Sequence, residues 1–195
     1  MKLVVSEFIS LDGVVQAPGG PEEDTDGGFA HGGWSMPYFD EEVMGPAFDK
    51  WQSDTDALLF GRCTWEVMAG AWPDRAGDPF ADRMNSIDKY VVSNTLGADD
   101  LTWNNSKLIS GDDIASQVSE LKSKDGGALQ ALGSSQLVRY LVSNDLVDEY
   151  RLMIEPIILG GGKGIFVNDG VARGLALTDL QQASTGVIIA TYTRA

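Results

Sequence analysis

The sequence predicts an α/β fold: a mostly parallel central sheet, helices on both of its faces, and an antiparallel edge at the C-terminal end. Three observations carry this reading. Short β-branched apolar runs alternate with stretches whose apolar residues recur at helical spacing. Several runs end in glycine or turn residues directly before such a stretch, as in a β-α unit. The last two strand candidates follow one another with no helical pattern between them. With 195 residues, 43% of them hydrophobic, the chain has the size of one domain with a substantial core, so residues 1–195 are read as a single unit.

The first strand candidate is "KLVVSEFI", closed by the turn residues of "SLDG". Residues 16–38 are rich in Gly, Pro and acids and cannot pack a periodic face, which suits a functional lid or a disordered insertion. A helix follows from Phe39, with Val43, Met44, Ala47, Phe48 and Trp51 on one face, and Pro46 argues mildly against its interior. "DALLFG" reads as a buried strand with a helix, "RCTWEVMAGAW", opening behind it. "KYVVSN" and "KLIS" are strands, and Ile114, Val118 and Leu121 mark a helix. "ALQALG" is a strand, and Leu137, Val138, Leu141 and Val142 line the helix after it. "VDEYRLMIEPIIL" forms a long strand with a bulge or end at Pro156, and "TGVIIATYTR" closes the sheet.

Composition excludes several function classes. The 29 acidic and 14 basic residues leave a net charge of −15, which repels nucleic acids and anionic membranes. No apolar stretch reaches the length of a signal segment or a membrane span, so a soluble cytoplasmic protein is expected. Cys63 is the only cysteine and His31 the only histidine, so no intrachain disulfide and no thiolate or imidazole zinc site is expected. A zinc deaminase is excluded on that count. A Ser–His–Asp hydrolase would depend on His31 alone, and no serine has a G-x-S-x-G setting.

The glycine-rich stretch "IILGGGKGIF" invites a phosphate-binding reading for Lys163 and fails it. Gly164 stands where Walker A requires Ser or Thr, the G-x-G-x-x-G spacing is missing, and no helix follows to hold an anion. A flexible turn or a substrate-side loop remains. "PEEDTDGG" matches the start of a calcium loop, but Gly33 replaces the bidentate glutamate, leaving a solvated acidic loop. Two strand-to-helix turns are stronger. In "LLFGRCTW" and "LQALGSSQLV" a strand ends at Gly61 or Gly133, and free N–H groups, hydroxyls and the Arg62 guanidinium converge there, with Ser134 or Ser135 as N-cap. Together these turns suit an anionic dinucleotide, and Arg62 suits a 2′-phosphate.

With "SLDG", "LLFGRCTWE", "VVSN", "LGSSQLV" and "LVDEYRLMIEPIILGGGKGIF" in this order, the chain resembles the dihydrofolate reductase-like superfamily. It is more closely similar to stand-alone relatives of the RibD C-terminal reductase domain. The resemblance implies a three-layer α/β/α fold, NADPH as cofactor, and hydride transfer to a pteridine- or pyrimidine-like heterocycle. The reactions it implies are dihydrofolate reduction or the 5-amino-6-(5-phosphoribosylamino)uracil reduction of riboflavin biosynthesis. It also implies dimerisation through the C-terminal strands.

By the same resemblance Gly61, Arg62 and Thr64 meet the adenosine phosphates, and Ser93 and Asn94 the 2′-phosphate side. Leu132, Gly133, Ser134, Ser135 and Gln136 meet the pyrophosphate, and Asp12 lies near the nicotinamide. "GWSMPYFD" departs from the W-x-L-P-x-D segment of dihydrofolate reductases, because Phe39 holds the acid's place and Asp40 follows one residue later. On a helix that step turns a side chain by about 100°. "TDALLFGRCTW" also lacks the basic residues that RibD-type reductases use on a ribose phosphate.

Asp12, Asp40 and Glu155 are the proton-donor candidates, with a turn aspartate, a helix-start residue and a solvent-facing strand residue as their structural alternatives. Trp34 and Phe39, with Trp72, form either the walls of a flat-ring pocket or core packing. A non-catalytic nucleotide-binding module on the same fold is the alternative to a reductase.

Overall fold

Side chains along β1 (Lys2–Ser10) point alternately to two apolar clusters, and that alternation defines the layers. Leu3, Val5 and Ile9 pack into one apolar cluster with Leu137, Val138 and Leu141, whereas Phe8 packs into another beside Met44 and Trp51. A strand apolar on both sides belongs inside a sheet covered on both faces. The computed structural model describes residues 1–75 and 77–195 and contains that sheet.

The other strands are β2 (Thr55–Gly61), β3 (Asp88–Val92), β4 (Ser106–Ile109), β5 (Ala128–Ala131), β6 (Glu149–Glu155), β7 (Leu175–Gln182) and β8 (Ile188–Arg194). Their order across the sheet is β4-β3-β2-β5-β1-β6-β8-β7. The first six are parallel to one another, and β8 runs antiparallel to both β6 and β7. The parallel sheet with an antiparallel C-terminal edge is therefore present as expected.

Helices α1 (Glu41–Ser53), α2 (Arg62–Ala71) and α3 (Pro79–Ser86) cover one face, through Met44 and Trp51, Trp65, and Met84. Helices α4 (Ile114–Ser123) and α5 (Ser135–Ser143) cover the other through Val118, Leu121, Leu137 and Leu141. Pro46 lies inside α1 on its exposed side, where water can take the carbonyl that a missing N–H leaves free. The strand through "VDEYRLMIEPIIL" stops earlier than its apolar run, at Glu155, because Pro156 cannot donate to the ladder.

Two elements have no counterpart in the pattern reading. Helix α3 buries only Ala81 and Met84, and is specified instead by its Asp78 cap and by Pro79 in the first turn. Strand β7 pairs with β8 alone at the sheet edge, so it has no alternation of buried and exposed residues; Leu175, Leu177 and Leu180 are all exposed.

At the N-terminal ends of the central strands lies a buried ion network, remote from the strand ends that bind ligands in such folds. Arg151 forms a two-pronged pair with Asp54 (2.9 and 2.7 Å), meets Glu149 at 2.6 Å, and donates to the Trp51 carbonyl. Removing one member strands the others in low dielectric. Arg151→Ala is expected to lower the unfolding free energy by about 3 kcal/mol, the low end of the range for buried pairs because Asp54 keeps partial solvation. Denaturant unfolding measures this, and a loss under about 1 kcal/mol contradicts it.

Candidate active site

The helices following adjacent strands leave in opposite directions at one place. Strand β5 is followed by α5 on one face, while its neighbours β2 and β1 lead into α2 and α1 on the other. In open α/β sheets such a switch point is where a ligand crevice forms, beyond the carboxyl ends of the strands. There Gly61 donates to the Gly133 carbonyl at 3.1 Å, bringing the two strand-to-helix turns into contact. A Cβ on Gly61 would collide with Ser134, and Gly133, at φ 91°, faces the Thr64 hydroxyl. Close approach to Ser134 favours glycine at position 61, and the positive φ favours it at position 133.

Helices α1, α3 and α4 are capped by Asp40, Asp78 and Asp113, each accepting backbone N–H groups. Helices α2 and α5 have Gly61 and Ser134 at the cap position and no side-chain cap bond. Ser134 thus occupies the expected N-cap without capping. The two helix starts that meet at the crevice are the two whose first N–H groups are left for another partner.

The residues assigned to a dinucleotide fall into two groups. Gly61, Arg62, Thr64, Leu132, Gly133, Ser134, Ser135 and Gln136 come together on these two turns. The Arg62 guanidinium is exposed and rests on Glu66 at 3.0 Å. Ser93 and Asn94 follow β3, two strands from β5, and both are engaged locally. The Ser93 hydroxyl accepts from Thr95 and Leu96 N–H, and Asn94 accepts from Gly111 N–H.

Two carboxyls, one on a half-buried and one on a buried residue, each with a buried and unpartnered oxygen, lie on opposite faces of the sheet near these strand ends. Glu155 ends β6 on the α1 side, fully buried, with one oxygen bonded to Ser35 Oγ at 2.5 Å and the other without a partner. Burial pushes its carboxyl up to about 7. Glu7 lies in line with Leu3, Val5 and Ile9 on the α5 side, and its Oε1 is also buried and unpartnered. Burial, with Glu23 as a like-charged neighbour, pushes it up to about 8. Glu7 was not among the residues expected from sequence, although its period-two alignment with three apolar residues marks it as inward-facing.

Residues 16–38 form an ordered lid with two single-turn helices, Asp26–Gly28 and Met36–Tyr38. Lys163 fastens it. Its ammonium pairs with Asp24 at 2.6 Å and Asp26 at 2.8 Å, and its backbone N–H donates to Gln16. Gly162 packs so closely that a Cβ would lie 2.6 Å from Val14, just before the lid, and 3.0 Å from Phe29 within it. Between lid and glycine loop lies an open cleft of about 480 Å³ that includes Phe29, His31 and Lys163. Trp34 is buried within the lid, donating to the Gln16 carbonyl, while Phe39 is exposed. Trp72 stacks on Phe80 beneath Arg75, so it serves packing on the α3 side.

The two aspartates are occupied as anchors. Asp12 accepts from Ser10 Oγ and from the N–H groups of Leu159 and Gly160, tying the glycine loop to the end of β1; these bonds hold its carboxyl below the usual range. Asp40 caps α1 and accepts from the N–H and hydroxyl of Ser184, so its carboxylate is directed at the β7–β8 turn and is likewise lowered. Among the described residues no cluster of three His, Cys, Asp or Glu side chains is arranged for a metal, and no helix is long and apolar enough to cross a membrane.

Residues 1–189 match the family model of the RibD C-terminal domain, and the chain belongs to that family. Uncharacterized protein YyaP of Bacillus subtilis (strain 168) is 25% identical over 198 residues, spanning 98% of this chain and 94% of its own. Among solved structures, a protein of Shewanella sp. PV-4 described as a riboflavin biosynthesis protein superposes with a TM-score of 0.76 at 20% identity, covering 100% of this chain and 99% of its own. Dihydrofolate reductase of Enterococcus faecalis, complexed with NADP(H), superposes with a TM-score of 0.59 at 16% identity, covering 99% and 96%. The fold is the dihydrofolate reductase-like α/β fold.

The two raised carboxyls give stability a definite pH dependence. An acid whose pKa rises on folding holds its proton more tightly in the folded state. Its stabilisation is complete below about pH 4.5 and is lost as pH rises through about 7 for Glu155 and about 8 for Glu7. Asp12, Asp40 and Asp54 act oppositely, withdrawing stability as pH falls below the ordinary aspartate range. Denaturant midpoints are expected to peak in mildly acid solution and decline toward pH 8, with Glu155→Gln flattening the decline. A midpoint that climbs steadily from pH 5 to about 8 contradicts this.

Proposed function

We propose that this protein is an NADPH-dependent reductase that delivers a hydride to a C=N or related electrophilic bond of a pteridine- or pyrimidine-like heterocycle. The observation that carries the reading is the crevice at β5, where two uncapped helix starts meet over the Gly61–Gly133 contact. Free N–H groups, a hydroxyl and a guanidinium around a bare backbone fit a dinucleotide diphosphate. Family membership, and likeness to a dihydrofolate reductase that binds NADP(H), support the same reading.

In this reading Gly61, Thr64, Leu132 to Gln136 and the first N–H groups of both helices hold the diphosphate, and the Arg62 guanidinium, with Ser93 and Asn94, meets the 2′-phosphate. NADPH supplies the hydride when bound. The chain's own task is to exclude water, orient the ring and supply a proton. Glu155 is the proton donor: a neutral carboxyl under the lid, with a free oxygen, gives its proton to the ring nitrogen as the adjacent carbon is reduced. Trp34, within the lid, and Phe39, the residue directly after it, supply apolar walls. Asp12 and Asp40 act through position, Asp12 by seating the glycine loop and Asp40 by seating α1. The exposed leucines of β7 fit the pairing of two chains, and sedimentation at 20.9 kDa would remove that part of the reading.

NADPH oxidation is expected with at least one member of a panel of pterins, aminopyrimidines and quinone-like acceptors. Turnover should fall as pH rises through about 7. Glu155→Gln should lower kcat by about 10²–10⁴ with little change in NADPH affinity, and Arg62→Ala should weaken NADPH more than NADH. Tight NADPH binding with no turnover across the panel would favour the non-catalytic module instead.

A further inference from the structure

Glu7 is not used by the function just described, yet it borders the same crevice. Its strand neighbours are apolar: Leu152 lies across from it on β6, and Ala131 and Gly133 end the β5 side. A Cβ on Gly133 would lie 3.1 Å from Thr64 Oγ1 and 3.8 Å from Glu7 Oε1, so the carboxyl, the hydroxyl and the bare glycine border one small space where α2 and α5 begin. The unpartnered Oε1 is buried there.

Among the described residues, the charged groups around it give it no counter-ion. The lid contributes Glu23, whose own carboxylate is bonded to Gly19 and Gly20 N–H. Helix α2 contributes Arg62, committed to Glu66, and the exposed thiol of Cys63. The first turn of α5 carries no acid. A carboxyl so placed keeps its proton at neutral pH and has an O–H to donate.

We propose that Glu7 makes anion binding at the α2–α5 crevice proton-dependent: as a neutral acid it donates a hydrogen bond to the diphosphate of a bound dinucleotide, and once ionised it repels it. The inference rests on the dinucleotide reading above. A neutral O–H facing a phosphate oxygen makes a strong charge-assisted bond, whereas two negative charges a few ångströms apart in a partly desolvated crevice oppose one another. Lid residue Glu23 strengthens the effect by favouring the protonated form of Glu7. The device suits a chain with a net charge of −15 that must admit a polyanion.

The test is the NADPH Kd, measured by titration of cofactor fluorescence from about pH 7 to 9.5, above the second ionisation of a phosphate monoester near 6. Wild-type Kd should rise toward tenfold per pH unit above about pH 8, and Glu7→Gln should bind with a nearly flat profile. Cys63, Arg62 and the phosphates are common to both proteins, so the difference between the profiles reports Glu7. Calorimetry of wild type in buffers of different ionisation enthalpy should show proton uptake on binding that grows above the same pH. It does not depend on the variant folding.

A flat wild-type profile, an unchanged slope in Glu7→Gln, or binding without proton uptake overturns the proposal. If NADPH binds at no pH, the dinucleotide reading falls separately, and inorganic diphosphate takes its place in the same two titrations. A Glu7-dependent slope with that probe sustains the anion site, and its absence overturns it.

Discussion

The contact between Gly61 and Gly133 is the constraint on which the rest of the site depends. Two turns from adjacent parallel strands can meet backbone to backbone only where neither carries a Cβ in the way, and at this place the following helices diverge to opposite faces. Divergence opens the crevice, and close approach aims both helix starts into it. The other three helices are capped by aspartates. Uncapped starts at α2 and α5 cost stability unless something else takes up their N–H groups.

Near this point desolvation favours the protonated form of two carboxyls, in a protein otherwise crowded with acids. Glu155 lies under the lid on the α1 face and Glu7 beside Gly133 on the α5 face, so one sheet presents a proton to each side of its strand ends. The ionised acids are arranged differently. Asp12, Asp24, Asp26 and Asp40 each hold a distant segment in place, and together they tie the lid, the glycine loop and the β7–β8 turn to the sheet. Acids with raised pKa values lie at the strand ends, and those with lowered values or ion partners fasten the segments around them.

Much of this was legible in the sequence. Apolar periodicity identified β1, β2, α1 and α5, and the two glycine-ended turns marked the crevice before any contact was known. Lys163 lost its phosphate role on motif spacing and the missing helix, and its actual partners, Asp24 and Asp26, lie 139 and 137 residues away. Pairings over such separations leave no local pattern, and the Asp40–Ser184 bond across 144 residues is equally invisible. Strand β7 escaped because an edge strand with both faces exposed has no alternation to detect. Glu7 is a different case: "KLVVSEFI" places it in register with Leu3, Val5 and Ile9, so strict period-two reading shows a carboxyl pointing inward.

The central claim is that the Gly61–Gly133 crevice holds the diphosphate of NADPH. A crystal structure with NADPH bound tests it most directly. The account predicts the diphosphate between the first turns of α2 and α5, accepting N–H bonds from the Arg62–Thr64 and Ser134–Gln136 segments, with the reduced ring reaching the lid side of the strand ends. A dinucleotide bound instead in the open cleft between lid and glycine loop, with its phosphates on Gly160 to Lys163, would contradict it.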